Sequence, residues 1–210
     1  MLLSEPSTML TDYGLSALCG LCAWRLWRTA NEAGRTSVRY WSAGLAGLGT
    51  AALAGGTFHG FSLVLTQAVL HGLWKVTVYA VGVAGFCLFV GALVASVPAS
   101  PRRLLVPIPA VKLAVYAGWM VGHDDFRYAI YDYAATLLVI LALQAHAGLV
   151  RREPGASWIA GGVLVAFAAA VVQRSGLSLH PHFNHNDLYH VIQMAGIYLF
   201  YRGARLLKDR

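Results

Sequence analysis

Charge is what this sequence is shortest of. Asp, Glu, Lys and Arg make up 12% of its 210 residues, roughly half of what a soluble domain carries. Hydrophobic residues fill 58%, so the expected fold class is an all-α, polytopic membrane protein, with one domain over residues 1–210. Acids are scarcer than bases, nine against sixteen. The resulting net charge of +7 does not imply a nucleic-acid partner, because the bases sit in short clusters between apolar runs. Cysteine is nearly absent. Cys19, Cys22 and Cys87 all fall inside apolar runs, where a thiol acts as a small packing group. Cys19-Gly-Leu-Cys22 has the spacing of a redox or metal pair but lacks the following His of a haem-attachment site. A basic leader is also lacking. Residues 1–12 hold two acids and no base, which argues against a cleavable signal peptide.

What is present is a series of seven apolar segments, at about 11–27, 40–61, 73–97, 104–121, 128–150, 158–172 and 188–201. Each is near the roughly 20 residues that cross a hydrocarbon core as a helix. The second is dense in Ala and Gly, which lets neighbouring helices approach closely and places it inside the bundle. Pro107 and Pro109 predict a distorted first turn in the fourth. Basic residues alternate between connections. Arg25, Arg28, Arg35 and Arg39 flank the first, Arg102 and Arg103 the third, and Arg151 and Arg152 the fifth, while Arg202, Arg205, Lys208 and Arg210 mark the tail. Lys/Arg-rich loops stay cytoplasmic. The expectation is a seven-transmembrane bundle with its N-terminus outside and its C-terminus cytoplasmic, multi-pass in a plasma membrane of the bacterial inner type.

That orientation sorts the histidines. His59, His71, His123, His180, His182, His185 and His190 fall at the outer face, and only His146 falls at the other. Four of them crowd into residues 180–193, which run straight into the seventh segment. Metal-capable side chains at the mouth of a membrane helix are costly, so they point to function. Neutral imidazole suits zinc, whose catalytic sites use three protein ligands and one open position. His59 and His190 come from different helices at one depth, with His185, Asn186 or Asp187 as a third donor. Asp132 and Lys112 lie at membrane depth in neighbouring segments, where they either pair or let Asp132 act as a ligand or base. Gln193, one turn past His190, could orient its ring.

Gly55-Gly-Thr-Phe-His59 and Asn186-Asp-Leu-Tyr-His190 resemble the helix-two and helix-seven motifs of the alkaline ceramidase and progestin/adiponectin receptor superfamily. The resemblance covers the topology and these short motifs. It implies a zinc-dependent hydrolase of a membrane-lipid amide or ester with His59 and His190 as ligands, and His185, in the loop beside them, is the expected third. Asp187 or Asp132 would carry the proton. Gly55 stands where the family's Ser is expected, leaving Thr57 as the nearest hydroxyl. Asn186 replaces the first His of the helix-seven pair, and residues 67–77 hold no acid where a third-helix Asp would be. Two other readings of the same residues are a non-catalytic receptor or scaffold that binds a lipid or small ligand, and a haem protein with His59 and His190 as axial ligands.

Overall fold

A computed structural model describes residues 3–180 and 182–210. The first two residues of the expected 1–210 domain, which also begin the stretch read as leader-free, and Pro181 of the histidine-rich stretch lie outside the described residues. Among the described residues every regular element is helical: α1 (Pro6–Ala33), α2 (Thr36–Phe61), α3 (Gln67–Ser96), α4 (Ala99–Leu105), α5 (Pro107–Val121), α6 (Phe126–Arg151), α7 (Ala156–Ser175) and α8 (His185–Ala204). Each expected apolar segment lies within or across one of these helices, and most helices extend several residues beyond it. The fourth segment is divided at Val106, because Pro107 has no amide to continue the ladder from α4.

Among the described residues four stretches are long and apolar enough to cross a membrane: α3, α6, α7 and the α4–α5 pair. The chain therefore has the make-up of a multi-pass membrane protein. The long helices that fall below that mark are α1, α2 and α8. They bear Asp12, His59 and His190, respectively. Polar groups and small residues that face inward dilute a helix's apolar character without exposing charge to lipid.

The helices run up and down. Gly49 of α2 faces Cys19 of α1, and Gly44 faces Leu88 of α3. In α7 and α8, Gly162 meets Phe200 and Gly155 meets Gly203. These pairings bring the start of α1, the end of α2 and the start of α8 to one end of the bundle. Away from that end, Leu26, Trp41, Leu45, Leu88 and Phe200 form the dry core, and Trp41 meets Phe200 edge-on at 5.5 Å. Helix α5 sits outside, packed on α3, and exposes Val111, Val115, Trp119 and Val121.

The opposite end is tied by arginines and by the tail. Asp209 accepts from the Thr36 amide at 2.6 Å, the Ser37 amide at 2.9 Å and the Ser37 hydroxyl at 2.6 Å. It thereby satisfies donors that open the first turn of α2. Arg35 donates to the carbonyls of Arg205 and Leu207, and Arg102 to those of Val94 and Arg210.

Candidate functional site

A cavity of about 280 Å³ occupies the middle of six helices, with α5 excluded. Its floor is apolar, made by Cys19, Leu48, Leu137, Ala166 and Ile197. Its other end is polar, with Asp12, His59, Asn186 and His190 on the wall. This division follows from sequence position. Asp12 precedes Cys19 by seven residues on α1, a rise of about 10 Å, so one helix supplies both floor and polar rim.

Asp12 and His190 form the buried centre of the rim. Asp12 Oδ1 lies 3.2 Å from His190 Nε2, and their side chains are 6% and 10% exposed. The other ring nitrogen, Nδ1, is 3.0 Å from the Thr11 hydroxyl. Thr11 and Asp12 are consecutive on α1, so one turn of that helix addresses both edges of the imidazole. Above them, His59 Nδ1 is 3.3 Å from Glu5 Oε2. Glu5 is held there because Ser4 donates its amide to the Gly60 carbonyl at 3.1 Å and its hydroxyl to the His59 carbonyl. His59 and His190 share the wall of the cavity.

The sequence-predicted site residues separate into two groups. His59, Asn186, His190 and Gln193 line the cavity. His185, Asp187, Asp132 and Thr57 do not. His185 is the first residue of α8. Asp187 is fully buried one turn before His190, and its Oδ2 accepts from the Asn184 amide at 2.7 Å while Asn184 Oδ1 accepts from the Asn186 and Asp187 amides. That reciprocal capping box starts α8, and it leaves Asp187 Oδ1 buried without a hydrogen-bond partner among the described residues. Asp132 pairs with Lys112 at 2.6 Å. Thr57 donates to the Leu53 carbonyl and meets the Tyr13 hydroxyl. Gln193 Nε2 is directed to the Tyr189 hydroxyl at 3.3 Å, not to His190.

The expected ligand trio of His59, His185 and His190 is not drawn together. Among the described residues, no three His, Cys, Asp or Glu side chains converge into a group that could hold a metal ion. What does converge is a pair that sequence reasoning missed. Asp12 stands where the polar start of the chain meets the first apolar segment, and an acid inside that segment is itself a signal. The empty Gly55 position also acquires a meaning: a Cβ added there would lie 3.7 Å from Asp12 Oδ2 and 3.8 Å from the Thr77 hydroxyl. Gly55 thus faces Asp12, and Thr77 stands on α3 beside it.

A family model matches residues 7–209, nearly the whole chain. The chain belongs to DUF6962, a family of unknown function. No curated protein and no solved structure matches it.

Proposed function

We propose that this protein is a metal-dependent hydrolase that cleaves an amide or ester of a membrane lipid, similar in plan to the alkaline ceramidases. In this reading all seven long helical stretches cross a bacterial inner membrane, with the N-terminus outside. The site then opens toward the outer face and the arginine-rich end faces the cytoplasm. The observation that carries the reading is the buried Asp12–His190 pair at the polar end of an apolar cavity.

The donor chemistry of that pair fits zinc. Tetrahedral ligands at about 2.0–2.1 Å from the ion stand about 3.3 Å from one another, close to the 3.2 Å between Asp12 Oδ1 and His190 Nε2. Among the described residues no Lys or Arg bridges either buried carboxyl, Asp12 or Asp187, so each is balanced by a bound cation or by a proton. Asp12 and His190 would hold the ion. His59, whose Nδ1 faces Glu5, lines the same cavity. Zinc, when bound, lowers the pKa of a water to about 7 and polarises a carbonyl. The chain's own residues do the rest. Leu48, Leu137 and Ile197 exclude water around an acyl chain, Asn186 at the rim can hydrogen-bond an amide or hydroxyl, and Thr11 fixes the His190 ring from behind.

Elemental analysis of detergent-purified protein tests the proposal. Zinc is expected at one per chain in wild type and in His185→Ala, and is expected to be lost in Asp12→Ala and His190→Ala. Substoichiometric zinc in wild type after incubation with the metal overturns it, as does a Soret band, which would assign His59 and His190 to haem. A second reading is a receptor or scaffold that binds a lipid without cleaving it. The engagement of both His190 nitrogens by protein groups favours it. It expects lipid binding that is unchanged by chelators.

A further inference from the structure

The contacts of Thr11 bear on the chemistry of His190 in a way that rests on the Asp12–His190 pair being the working centre of the site. The Thr11 hydroxyl has one hydrogen and three neighbours within bonding distance: the Ser7 carbonyl at 3.1 Å, the Thr8 carbonyl at 3.0 Å and His190 Nδ1 at 3.0 Å. The two carbonyls can only accept. A Thr on a helix returns its hydrogen to the preceding turn, which leaves an oxygen lone pair facing the ring. An oxygen in that state accepts from Nδ1–H and has nothing to donate to a bare Nδ1. Thr11 is not part of the cavity wall, so it acts from behind the ring and leaves the opposite edge free.

We infer that Thr11 is a positioning residue that sets the tautomer of His190, placing the hydrogen on Nδ1 and leaving the Nε2 lone pair turned toward Asp12 and the cavity. A metal-ligating or base-acting His usually has its tautomer fixed in this way, by the hydrogen bond its other nitrogen makes. The partner here is the residue next to Asp12, so a single turn of α1 supplies both the acid and the group that aims the imidazole at it. Across the 3.2 Å to Asp12 Oδ1, a bare Nε2 can share a metal ion with the carboxylate or, without one, accept from a protonated Asp12 carboxyl.

The test is nitrogen NMR on metal-free, histidine-labelled full-length protein in detergent, with the His190 signals identified by their loss in His190→Gln. Wild type is expected to carry hydrogen on Nδ1 only. Thr11→Val is expected to shift the ring toward the Nε2–H form, and Thr11→Ser to restore the wild-type spectrum. A wild-type ring protonated on Nε2 or on both nitrogens overturns the inference, and so does a Thr11→Val spectrum identical to wild type. Zinc affinity, measured in parallel, is expected to fall roughly 10–100-fold in Thr11→Val. A shifted tautomer with no zinc bound by any variant would sink the hydrolase reading and leave the role of Thr11 standing.

Discussion

Lys112 and Asp132 show what a charge at membrane depth requires. Their 2.6 Å contact joins α5 to α6, with side chains 23% and 9% exposed. Truncating one member of such a pair leaves the other unbalanced at a cost of about 3–5 kcal/mol, whereas replacing both by apolar groups is often neutral. Lys112→Ala is therefore expected to unfold markedly earlier in detergent, and the Lys112→Met/Asp132→Leu double variant to melt near wild type. A double variant as unstable as Lys112→Ala would show that the pair has a further partner. This pairing was one of two readings the sequence offered, since two opposite charges in neighbouring segments have few other outlets. Asp12 was harder to read. Its partner His190 is 178 positions away in the chain, and spacing rules reach only a few residues along one helix.

Among the helices, glycine decides how closely neighbours pack. A Cβ at Gly203 would lie 2.5 Å from Ile159 and 2.8 Å from the Gly155 carbonyl, and one at Gly155 would lie 2.7 Å from the Gly203 carbonyl. The α7–α8 backbones approach through that gap. Gly203→Val is expected to force them apart and cost at least about 1–3 kcal/mol, visible as a lower melting temperature. Gly20 and Gly118, in helix interiors with open space where a Cβ would go, give the opposite expectation. Alanine there is expected to stabilise by roughly 0.5–1 kcal/mol. Glycine content alone marked α2 as an inner helix, but it could not rank these positions, because the distinction lies in what the other helix presents. The start of α8 is legible in the sequence. Asn184-His-Asn-Asp187 has the spacing of a capping box, and it begins the helix three residues before the apolar segment does.

For the molecule as a whole, the tail is the fastening. Burial tends to raise the Asp209 pKa, but the hydrogen bonds from Ser37 and Thr36 outweigh it and hold the carboxyl below its usual 3.8. A group with a lowered folded pKa stabilises above its unfolded value, and that contribution is lost as pH falls through the folded one. Asp209→Ala is accordingly expected to cost about 1 kcal/mol at neutral pH, as lost helix caps do. The difference from wild type should close below about pH 4, and melting curves across pH would check both. Reporter fusions at each end test orientation: an exported reporter is expected to be active at the N-terminus and silent at the C-terminus.

Composition and the order of apolar runs determined, without coordinates, that this chain is an all-helical protein made for a membrane. Burying so many apolar side chains with so few charges admits little else, and helices satisfy their backbone bonds within themselves. The alternation of segments also put His59 and His190 at one end of the bundle, and the structure has both on the cavity wall. Only the tertiary structure decided which groups meet. It put Asp12 against His190, Thr11 behind the ring, Glu5 beside His59 and Asp187 in a helix cap. Those choices depend on how helices rotate about their axes and which of them are neighbours, and packing between distant segments sets both.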